Sequence, residues 1–199
     1  MKDTAKHYDL LIDDGQDPVH DPAPLKAYMN KWDGQAFIEK MQLNKTKSVL
    51  EIGVGTGRIA VKVAPCCKSF TGIDLSEKTV EKAKKNIKMG LFKKPELICS
   101  DFLEYEFKES FDVIYSSLTF MHIENKQKAF NRVYKLLSEN GLFVLSVDKN
   151  QSEYIDMQTR KIKIFPDTCE NIVSLIEETD MTVSDVFETE NAYIIVSNK

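Results

Sequence analysis

The chain has 199 residues, of which 42% are hydrophobic, so it is long and apolar enough for one domain with a substantial core. Its formal net charge of −4 provides no general basic field, which argues against binding to bare nucleic acid or to an anionic membrane surface. No apolar stretch approaches the roughly 20 residues of a membrane-spanning helix and the amino terminus is polar, so we expect a cytoplasmic protein. Small molecules are the expected partners, and the sequence does not determine the oligomeric state.

The first 42 residues are predicted to form an amino-terminal lid and helix, ahead of a main domain at residues 43–199 within a single compact unit. Residues 1–22 are polar and are interrupted by Asp13-Asp14-Gly15-Gln16-Asp17-Pro18, so we expect a mobile leader or lid with at most one apolar helical turn, at residues 8–12. Between Pro24 and Met41 apolar residues recur at roughly helical spacing, which predicts a helix that Gly34 interrupts.

Two interpretations of this segment stay open. The helix packs against the rest of the domain, or Tyr8, Tyr28 or Trp32 closes over a ligand.

Short apolar runs typical of buried strands follow at regular intervals. They lie at residues 48–52, 69–73, 96–100, 111–116 and 141–147. Helical patterns fall between most of them. In one of these, Ser76 is placed to cap a helix that carries an apolar stripe (Val80, Ala83, Ile87, Leu91) and stops at Gly90. Another spans about residues 124–138 and ends at Asn140-Gly141.

This alternation of strand and helix predicts an α/β fold with right-handed crossovers and a doubly wound, mostly parallel sheet. The last fifty residues differ from this pattern: after a short run at 161–164 and a helix near 168–179, two β-like runs at 181–188 and 192–197 are separated by only a few residues. We expect these two runs to form an antiparallel hairpin.

The junction at residues 49–60 is the strongest candidate for a ligand site. A short apolar strand passes there through three alternate glycines, Gly53, Gly55 and Gly57, into a predicted helix. Glycines let the backbone approach a ligand, and the N–H groups of a following helical turn suit a carboxylate or phosphate. The predicted ligand is a nucleotide-like cofactor.

Polar residues end the other strands, at the sheet edge where ligands of open parallel sheets collect. Asp74 follows the second strand and could accept both hydroxyls of a ribose. Asp101 follows the third and could accept from an exocyclic amine such as that of adenine, with Phe102 against the ring. Ser116-Ser117-Leu118-Thr119 end the fourth.

A glycine-rich loop is weak evidence by itself, because residues 55–60 also satisfy the dinucleotide pattern Gly-x-Gly-x-x-Gly/Ala. That frame would place Gly53 inside the strand, which is a poor position for glycine. With Gly53 as the first glycine the pattern becomes Glu-x-Gly-x-Gly-x-Gly, and Glu51 at the strand end is included.

Together these motifs resemble those of class I S-adenosylmethionine-dependent methyltransferases. The resemblance covers about residues 45–147 and rests on Glu51 to Gly57, Thr71 to Ser76, Ser100-Asp101-Phe102, Phe111 to Ser116 and the helix-Gly141-strand unit. It implies a Rossmann-like, doubly wound, seven-stranded sheet that is closed by a C-terminal antiparallel hairpin. It also implies that the cofactor is S-adenosyl-L-methionine and the product S-adenosyl-L-homocysteine.

The resemblance assigns roles by position. The residues concerned are Glu51, Gly53, Gly55, Gly57, Asp74, Leu75, Asp101, Phe102 and Ser116. The glycines would hold the methionine moiety, Asp74 the ribose hydroxyls, and Asp101 with Phe102 the adenine. Glu51 would order the loop and meet the methionine amine through water, and Ser116 with its neighbours would line the methyl-transfer side.

The acceptor is far less determined by the sequence than the donor, because a sulfonium methyl group is already activated and the protein mainly has to align the acceptor. If a base is needed, His122 is the candidate, since its ordinary pKa suits proton transfer near neutrality; packing or capping is the alternative role. The segment that follows the fourth strand lacks the Asn/Asp-Pro-Pro-Tyr/Phe and Pro-Cys motifs of amino-group and pyrimidine methyltransferases. We therefore expect a small-molecule acceptor first, and protein side chains as the next class.

Two other classes stay open: a non-catalytic protein that binds the cofactor, and an NAD(P)-dependent oxidoreductase. The four cysteines, at 66, 67, 99 and 169, lack Cys-x-x-Cys spacing and have few histidines as co-ligands, so we predict reduced thiols and no metal.

Overall fold

The computed structural model describes residues 2–87, 94–156 and 160–199. Its helices are α1 (Lys2–Asp13), α2 (Ala23–Met29), α3 (Gly34–Lys40), α4 (Ala60–Val63), α5 (Glu77–Asn86), α6 (Lys126–Leu136) and α7 (Cys169–Glu177). Its strands are β1 (Ser48–Ile52), β2 (Ser69–Asp74), β3 (Glu96–Cys99), β4 (Phe111–Ser117), β5 (Leu137–Asp148), β6 (Tyr154–Asp156), β7 (Lys161–Lys163), β8 (Thr182–Glu188) and β9 (Ala192–Asn198). Short 3-10 turns cover Ala64–Cys66 and Phe120–His122.

Seven strands form one sheet in the order β3-β2-β1-β4-β5-β9-β8. The first five run parallel, whereas β9 pairs antiparallel with β5 and β8 antiparallel with β9. The predicted fold is therefore confirmed, including the C-terminal hairpin. The chain winds outward from β1 to β3, then returns to β4 on the other side of β1. This reversal opens a crevice at the carboxyl ends of β1 and β4, which is where open α/β sheets bind ligands.

Both faces of the sheet are buried, because residues along each strand alternate between two hydrophobic clusters. Leu50 and Ile52 of β1 belong to the cluster covered by α6 and α7. Val49 belongs to the other cluster, together with residues of α3, α4 and α5. Helix α5 is capped as predicted, since the Ser76 side chain accepts a hydrogen bond from the Thr79 N–H at 3.2 Å. Leu91 and Gly90, the predicted end of that helix, lie outside the described residues.

The amino-terminal segment is more regular than the sequence suggested. A twelve-residue helix, α1, occupies most of the stretch that we expected to hold at most one turn. The Asp13-Asp14-Gly15 run ends this helix instead of preventing it: Gly15 adopts φ +84°, and the N–H groups of Asp14 and Gly15 bond back to the carbonyls of Leu10 and Ile12.

The helical segment expected from Pro24 to Met41 is interrupted before Gly34, as predicted, and forms two helices. Helices α2 and α3 are separated by a turn in which the Asp33 side chain accepts from the Gly34 N–H at 2.7 Å. Tertiary bonds hold this turn: the Ser146 hydroxyl donates to the Trp32 carbonyl at 2.6 Å, and the Ser117 hydroxyl donates to Asp33 at 2.8 Å. Gly34, at φ +69°, begins the second helix.

Two further boundaries differ from prediction. Strand β5 begins at Leu137 and not at residue 141, because Leu137 pairs with Phe111 before a register shift and Asn140 takes a left-handed conformation at φ 60°. The run at 161–164 is one half of a small antiparallel ribbon, β6–β7, in which Ile155 pairs with Ile162. Within the described ranges, the helices are too short and too polar to cross a membrane.

Candidate functional site

A cavity of about 280 Å³ lies at the carboxyl ends of β1, β2 and β4, at the point where the strand order reverses. It is lined by Glu51, Gly53 to Thr56, Arg58, Asp74, Leu75, Ser100 to Phe102, Ser117 to Thr119 and Met121 to Ile123, together with Thr4, Tyr8, Pro18 and Met29 of the amino-terminal segment. The structure thus brings together seven of the nine predicted cofactor residues, and His122. Gly57 and Ser116 do not line the cavity.

The three loop glycines have three different surroundings, although all have positive φ. A Cβ at Gly53 would lie 1.9 Å from the Thr119 hydroxyl, so this glycine admits the loop that follows β4. A Cβ at Gly57 would lie 2.8 Å from the Ile87 side chain, so this glycine admits α5. A Cβ at Gly55 would meet no atom within 4 Å, and this glycine borders the cavity. Open space for a ligand therefore adjoins Gly55, and Gly57 has a packing role instead.

The N–H groups of this loop are largely used within the protein. Those of Gly53 and Val54 bond to the Ile73 carbonyl at 2.8 and 3.1 Å, that of Gly57 to the Val54 carbonyl, and that of Gly55 to Asp74. Helix α4, which follows, has only four residues. The loop therefore offers few free N–H donors and only a weak helix dipole to an anionic ligand. Attraction of an anion by a helix N-terminus needs a full helical turn with unpaired donors.

Thr56, which was not among the predicted site residues, adds a polar group to this loop. Its hydroxyl oxygen is buried, lacks a hydrogen-bond partner among the described residues, and belongs to a side chain that lines the cavity. An orphaned buried hydroxyl costs free energy unless a ligand or water pairs with it.

Asp74 ends β2 and lies against the glycine loop. One carboxylate oxygen accepts from the Gly55 N–H at 2.9 Å and the other accepts from the Ser76 N–H at 3.0 Å. Burial raises the pKa of Asp74, and these bonds partly oppose the shift. The Thr79 side chain and the Leu75 N–H also bond to this carboxylate, so hydroxyl groups of a ligand would share its acceptor positions with them.

The third strand end contributes one polar and one apolar residue. Asp101 accepts from the Leu103 N–H at 2.8 Å and faces the cavity with its remaining acceptor capacity. Phe102 is buried, and the Arg132 guanidinium lies 5.6 Å from the centre of its ring. With Leu75 from the second strand end, these side chains give one end of the cavity an apolar surface and a single acceptor, which suits a planar heterocycle with an amino group.

Glu51 is the most perturbed carboxyl group of the site. It is 3% exposed, and the Tyr115 hydroxyl donates to it at 2.7 Å. Burial raises the pKa of Glu51 to about 8, against the opposing effects of the Tyr115 hydrogen bond and of the Arg58 charge. A cationic ligand in the cavity would favour the ionised form again.

A buried ion pair behind the loop was not predicted from the sequence. Arg58 donates to both oxygens of Asp33, at 3.0 and 2.5 Å, and the Asp33 carboxylate is 3% exposed. Burial opposes ionisation of Asp33, but Arg58, Gly34 and Ser117 together hold its pKa below the usual range. The pair fixes the α2–α3 turn beside the cavity. The two residues are 25 positions apart in irregular segments, so no sequence periodicity links them.

Ser116 was predicted to line the site, but it does not line the cavity. It is fully buried, and its hydroxyl donates to the Ile52 carbonyl at 2.8 Å, so it joins β4 to β1. Strand alternation turns the next residue the other way, and Ser117, Leu118 and Thr119 form the cavity wall after β4. The one-residue error reflects the unknown exact end of the strand.

Tyr8 of α1 reaches across the cavity to His122, with 2.8 Å between its hydroxyl oxygen and the imidazole Nε2. Burial raises the pKa of Tyr8 and lowers the pKa of His122 to about 4. The His122 Nδ1 is buried without a partner among the described residues. The assumption of an ordinary histidine pKa is therefore wrong for this structure: the imidazole is uncharged at neutral pH and is a weak base.

The fold and this cavity define a Rossmann-like α/β protein with a cofactor-type site at the switch point of its sheet. A family model described as "Methyltransferase domain" matches residues 43–193, and the chain belongs to that family. The resemblance to class I S-adenosylmethionine-dependent methyltransferases is thereby confirmed. Among the side chains that the structure describes, no group of three or more His, Cys, Asp or Glu is arranged to hold a metal ion.

Sequence relatives carry methyltransferase names. A malonyl-[acyl-carrier protein] O-methyltransferase from Ilyobacter polytropus is 29% identical over 145 residues, which is 69% of this chain and 52% of the relative. A sterol 24-C-methyltransferase from Debaryomyces hansenii is 29% identical over 109 residues, or 52% of this chain and 28% of the relative. The chain spans about half or less of the length of these curated relatives.

Solved structures agree in fold. The N-methyltransferase NodS from Bradyrhizobium japonicum, in complex with S-adenosyl-L-homocysteine, superposes with a TM-score of 0.67 at 18% identity, covering 92% of this chain and 94% of the other. A chain from the complex of the Trm112 methyltransferase activator and a putative methyltransferase of Haloferax volcanii gives 0.75 at 14% identity, covering 96% of each.

Proposed function

We propose that this chain transfers a methyl group from S-adenosyl-L-methionine to a small-molecule acceptor. The observation that carries the proposal is the convergence of the Gly53–Gly55 loop, Asp74 and the Asp101-Phe102 pair on one cavity at the switch point. Distant segments meet there with a backbone loop, a ribose-type acceptor and a site for a planar base.

The residues present fit this cofactor. The open space at Gly55 and the orphaned Thr56 hydroxyl leave room and an unpaired polar group in the loop. Asp74 would accept the ribose hydroxyls, and Asp101 with Phe102 would hold the adenine. Glu51, whose pKa is raised by burial, would ionise beside the cofactor's ammonium group.

The bound cofactor would supply an activated methyl group on its sulfonium, so the protein's task is to align the acceptor and exclude water. We assign His122 to the acceptor side of the cavity. Because its pKa is near 4, we infer that it orients the acceptor by hydrogen bonding, in place of the general-base role that the sequence suggested. Tyr8 would close the cavity from the amino-terminal side.

The acceptor class is the least constrained part of the proposal. The names of relatives range from O-methylation of a malonyl group on acyl-carrier protein to C-methylation of sterols, so they do not select one acceptor. The absence of a general basic field in a chain of net charge −4 favours a small molecule over a nucleic acid.

Calorimetric titration with S-adenosyl-L-homocysteine tests the cofactor site. We expect saturable one-to-one binding, and no binding of NADH. Asp74→Ala should weaken binding by roughly 2–4 kcal/mol, since two charge-assisted hydrogen bonds are lost together, whereas Glu106→Ala removes an equal charge from the exposed surface and should have no effect.

Unchanged affinity in Asp74→Ala would refute the assigned role, and binding of NADH alone would favour the oxidoreductase alternative. Turnover is then tested with S-adenosyl-L-methionine labelled in its methyl group and a panel of metabolites. Tight product binding without transfer to any acceptor would favour a non-catalytic binding protein.

A further inference from the structure

A second, larger cleft of about 910 Å³ adjoins the cofactor cavity. It runs between α1, the turn after β3, the start of α6 and the β6–β7 ribbon. Thr4, Asp101, His122 and Ile123 line both spaces. A molecule in the cleft would therefore meet the cofactor cavity at a common wall that contains His122.

The two sides of this cleft differ in charge. Near the common wall the lining includes Asp101, Glu104 and Glu124, and Glu104 pairs with Lys128. The far side, formed by α1 and the ribbon, contributes four basic residues (Lys6, Arg160, Lys161 and Lys163) and one acidic residue, Asp3. Arg160 pairs with Asp14 and Lys161 with Asp156, so the excess of positive charge on this side is modest. Apolar residues lie between them, including Leu10, Ile162 and Phe165. The cleft therefore suits a molecule with an anionic group next to α1 and the ribbon.

His7 and Arg160 form the most ordered contact on the far side. The Arg160 Nε–H donates to His7 Nδ1 at 3.1 Å, while its Nη2 donates to Asp14 at 3.0 Å. This geometry fixes the His7 tautomer, because Nδ1 accepts a hydrogen bond and the proton must reside on Nε2. His7 is only 5% exposed and lines the cleft, so a buried neutral donor lies next to a guanidinium group.

We infer that this cleft binds the methyl acceptor and that His7 with Arg160 recognises a carboxylate or phosphate group on it. The inference rests on the proposed function, because it concerns the acceptor of the proposed reaction. The residues that carry it, His7 and Arg160, are separate from those that would bind the cofactor. Guanidinium groups bind planar and tetrahedral oxyanions with particular strength, and the adjacent histidine N–H adds a second donor.

The sequence of α1 connects this recognition to the cofactor site. His7 and Tyr8 are consecutive, so they project in directions about 100° apart on the helix, His7 lining the cleft and Tyr8 the cofactor cavity. One helix thus contributes to both binding sites. An acceptor anchored at His7 and Arg160 would hold α1 in the position that closes the cofactor cavity.

The test uses inorganic phosphate and acetate as separate probes. Calorimetry first establishes saturation of the full chain with S-adenosyl-L-homocysteine, and the imidazole signals of His7 are then followed by NMR during titration with each anion. We expect a saturable shift with at least one anion, and which one binds distinguishes a phosphate site from a carboxylate site. Arg160→Gln should weaken this binding at least tenfold, whereas Lys85→Gln, an equal charge change on the exposed face of α5, should not.

Arg160→Lys separates recognition from attachment of α1, since it retains the charge but cannot donate to His7 and to an anion in the same planar geometry. It should bind the anion more weakly than the wild type and more tightly than Arg160→Gln. Absence of any saturable shift, or equal anion affinity in Arg160→Gln and Lys85→Gln, would overturn the inference. If the wild type does not bind S-adenosyl-L-homocysteine, the proposed function is refuted instead, so the two failures are distinguishable.

Discussion

The glycines of the β1 loop show how one motif serves three local constraints. Gly53 lies against Thr119 and Gly57 against Ile87, whereas Gly55 borders open space. Gly53 and Gly55 both line the cavity, but only Gly55 has space for an added side-chain atom. The spacing alone could not separate these roles, because the neighbours of Gly53 and Gly57 come from distant parts of the chain.

Gly53→Ala and Gly55→Ala should therefore separate stability from binding. In Gly53→Ala the new Cβ would overlap the Thr119 hydroxyl, so we expect urea unfolding to show a loss of about 3 kcal/mol or more. Gly55→Ala carries only the cost of its left-handed φ of 53°, about 1–2 kcal/mol, but should weaken S-adenosyl-L-homocysteine binding measured by calorimetry. Equal destabilisation by the two substitutions would contradict this assignment, and Thr119→Gly should partly rescue Gly53→Ala.

The raised pKa of Glu51 should make the free energy of unfolding depend on pH. Its pKa is about 8 in the folded protein because burial disfavours the charged form, against an ordinary value of 4.5. Between these values the folded protein keeps a proton that the unfolded chain releases, so the Glu51 contribution to the free energy of unfolding falls as the pH rises from about 4.5 to 8. Glu51→Gln removes this contribution and still accepts from Tyr115.

We expect the stability of the wild type relative to Glu51→Gln to decline over this interval by as much as about 1.4 kcal/mol per pH unit. Urea unfolding at pH 5, 6.5 and 8 measures the difference. Other titrating groups, such as Asp74, are common to both proteins and cancel to first order. Parallel stability curves would show that Glu51 is ionised in the folded protein, and Glu106→Gln supplies the exposed control.

At the scale of elements, the α2–α3 turn is held by a charge pair. Asp33 and Arg58 are largely buried, at 3% and 19% side-chain exposure. Asp33→Ala should lower the free energy of unfolding by about 3–5 kcal/mol, because the Arg58 charge stays in a poorly solvated position without its partner. Chemical denaturation measures the effect.

An exposed ion pair from the same region gives the matched control. Lys31 and Glu190 lie 2.6 Å apart at the surface, and Glu190→Ala should cost no more than about 1 kcal/mol. Adding Arg58→Met to Asp33→Ala should recover part of the lost stability. A double variant as unstable as Asp33→Ala alone would mean that the turn depends on other contacts of Asp33, such as that with Ser117.

The elements that the sequence predicts well are those with local signals. Apolar runs located β1 to β5, and Ser76 located the start of α5, since these patterns follow from burial and capping within a few residues. The break before Gly34 was predicted, but its ion pair between Asp33 and Arg58 and the early start of β5 at Leu137 were not. Both depend on partners more than 20 positions away, Arg58 in one case and Phe111 in the other.

At the scale of the whole molecule, the parallel order of the strands explains why most of the site was predictable. Residues at the carboxyl ends of parallel strands meet at one edge, so Glu51, Asp74 and Asp101 could be brought together from strand ends alone. His7 and Arg160 could not, and Tyr8 was only one of three aromatic candidates beside Tyr28 and Trp32, which do not line the cavity. Helix α1 and the β6–β7 ribbon lie outside the sheet and reach the site through contacts between side chains.

Helix α1 is attached to the rest of the molecule mainly by polar contacts. Asp9 accepts from the Ser76 hydroxyl at 2.6 Å and from the Lys78 N–H at 3.0 Å, and Asp13 forms an exposed ion pair with Lys78. Among the described side chains, none from α1 belongs to either hydrophobic cluster, so α1 should open more readily than the sheet. The predicted lid role of the amino-terminal segment requires such opening, because the closed helix contributes Thr4 and Tyr8 to the cavity wall.

Hydrogen exchange measures this opening directly. Amides of α1 should exchange faster than those of β1 and β4 in the free protein, and saturating S-adenosyl-L-homocysteine should slow exchange in α1. Asp9→Ala should speed exchange in α1 and weaken cofactor binding several-fold, whereas Glu106→Ala, an equal charge change at an exposed position outside α1, should do neither. If the exchange rate of the α1 amides does not change when the ligand is added, opening of this helix is not coupled to ligand binding. Slowed exchange would mean that ligand binding and helix docking share one equilibrium, since a ligand that prefers the closed state must stabilise it by that difference in affinity.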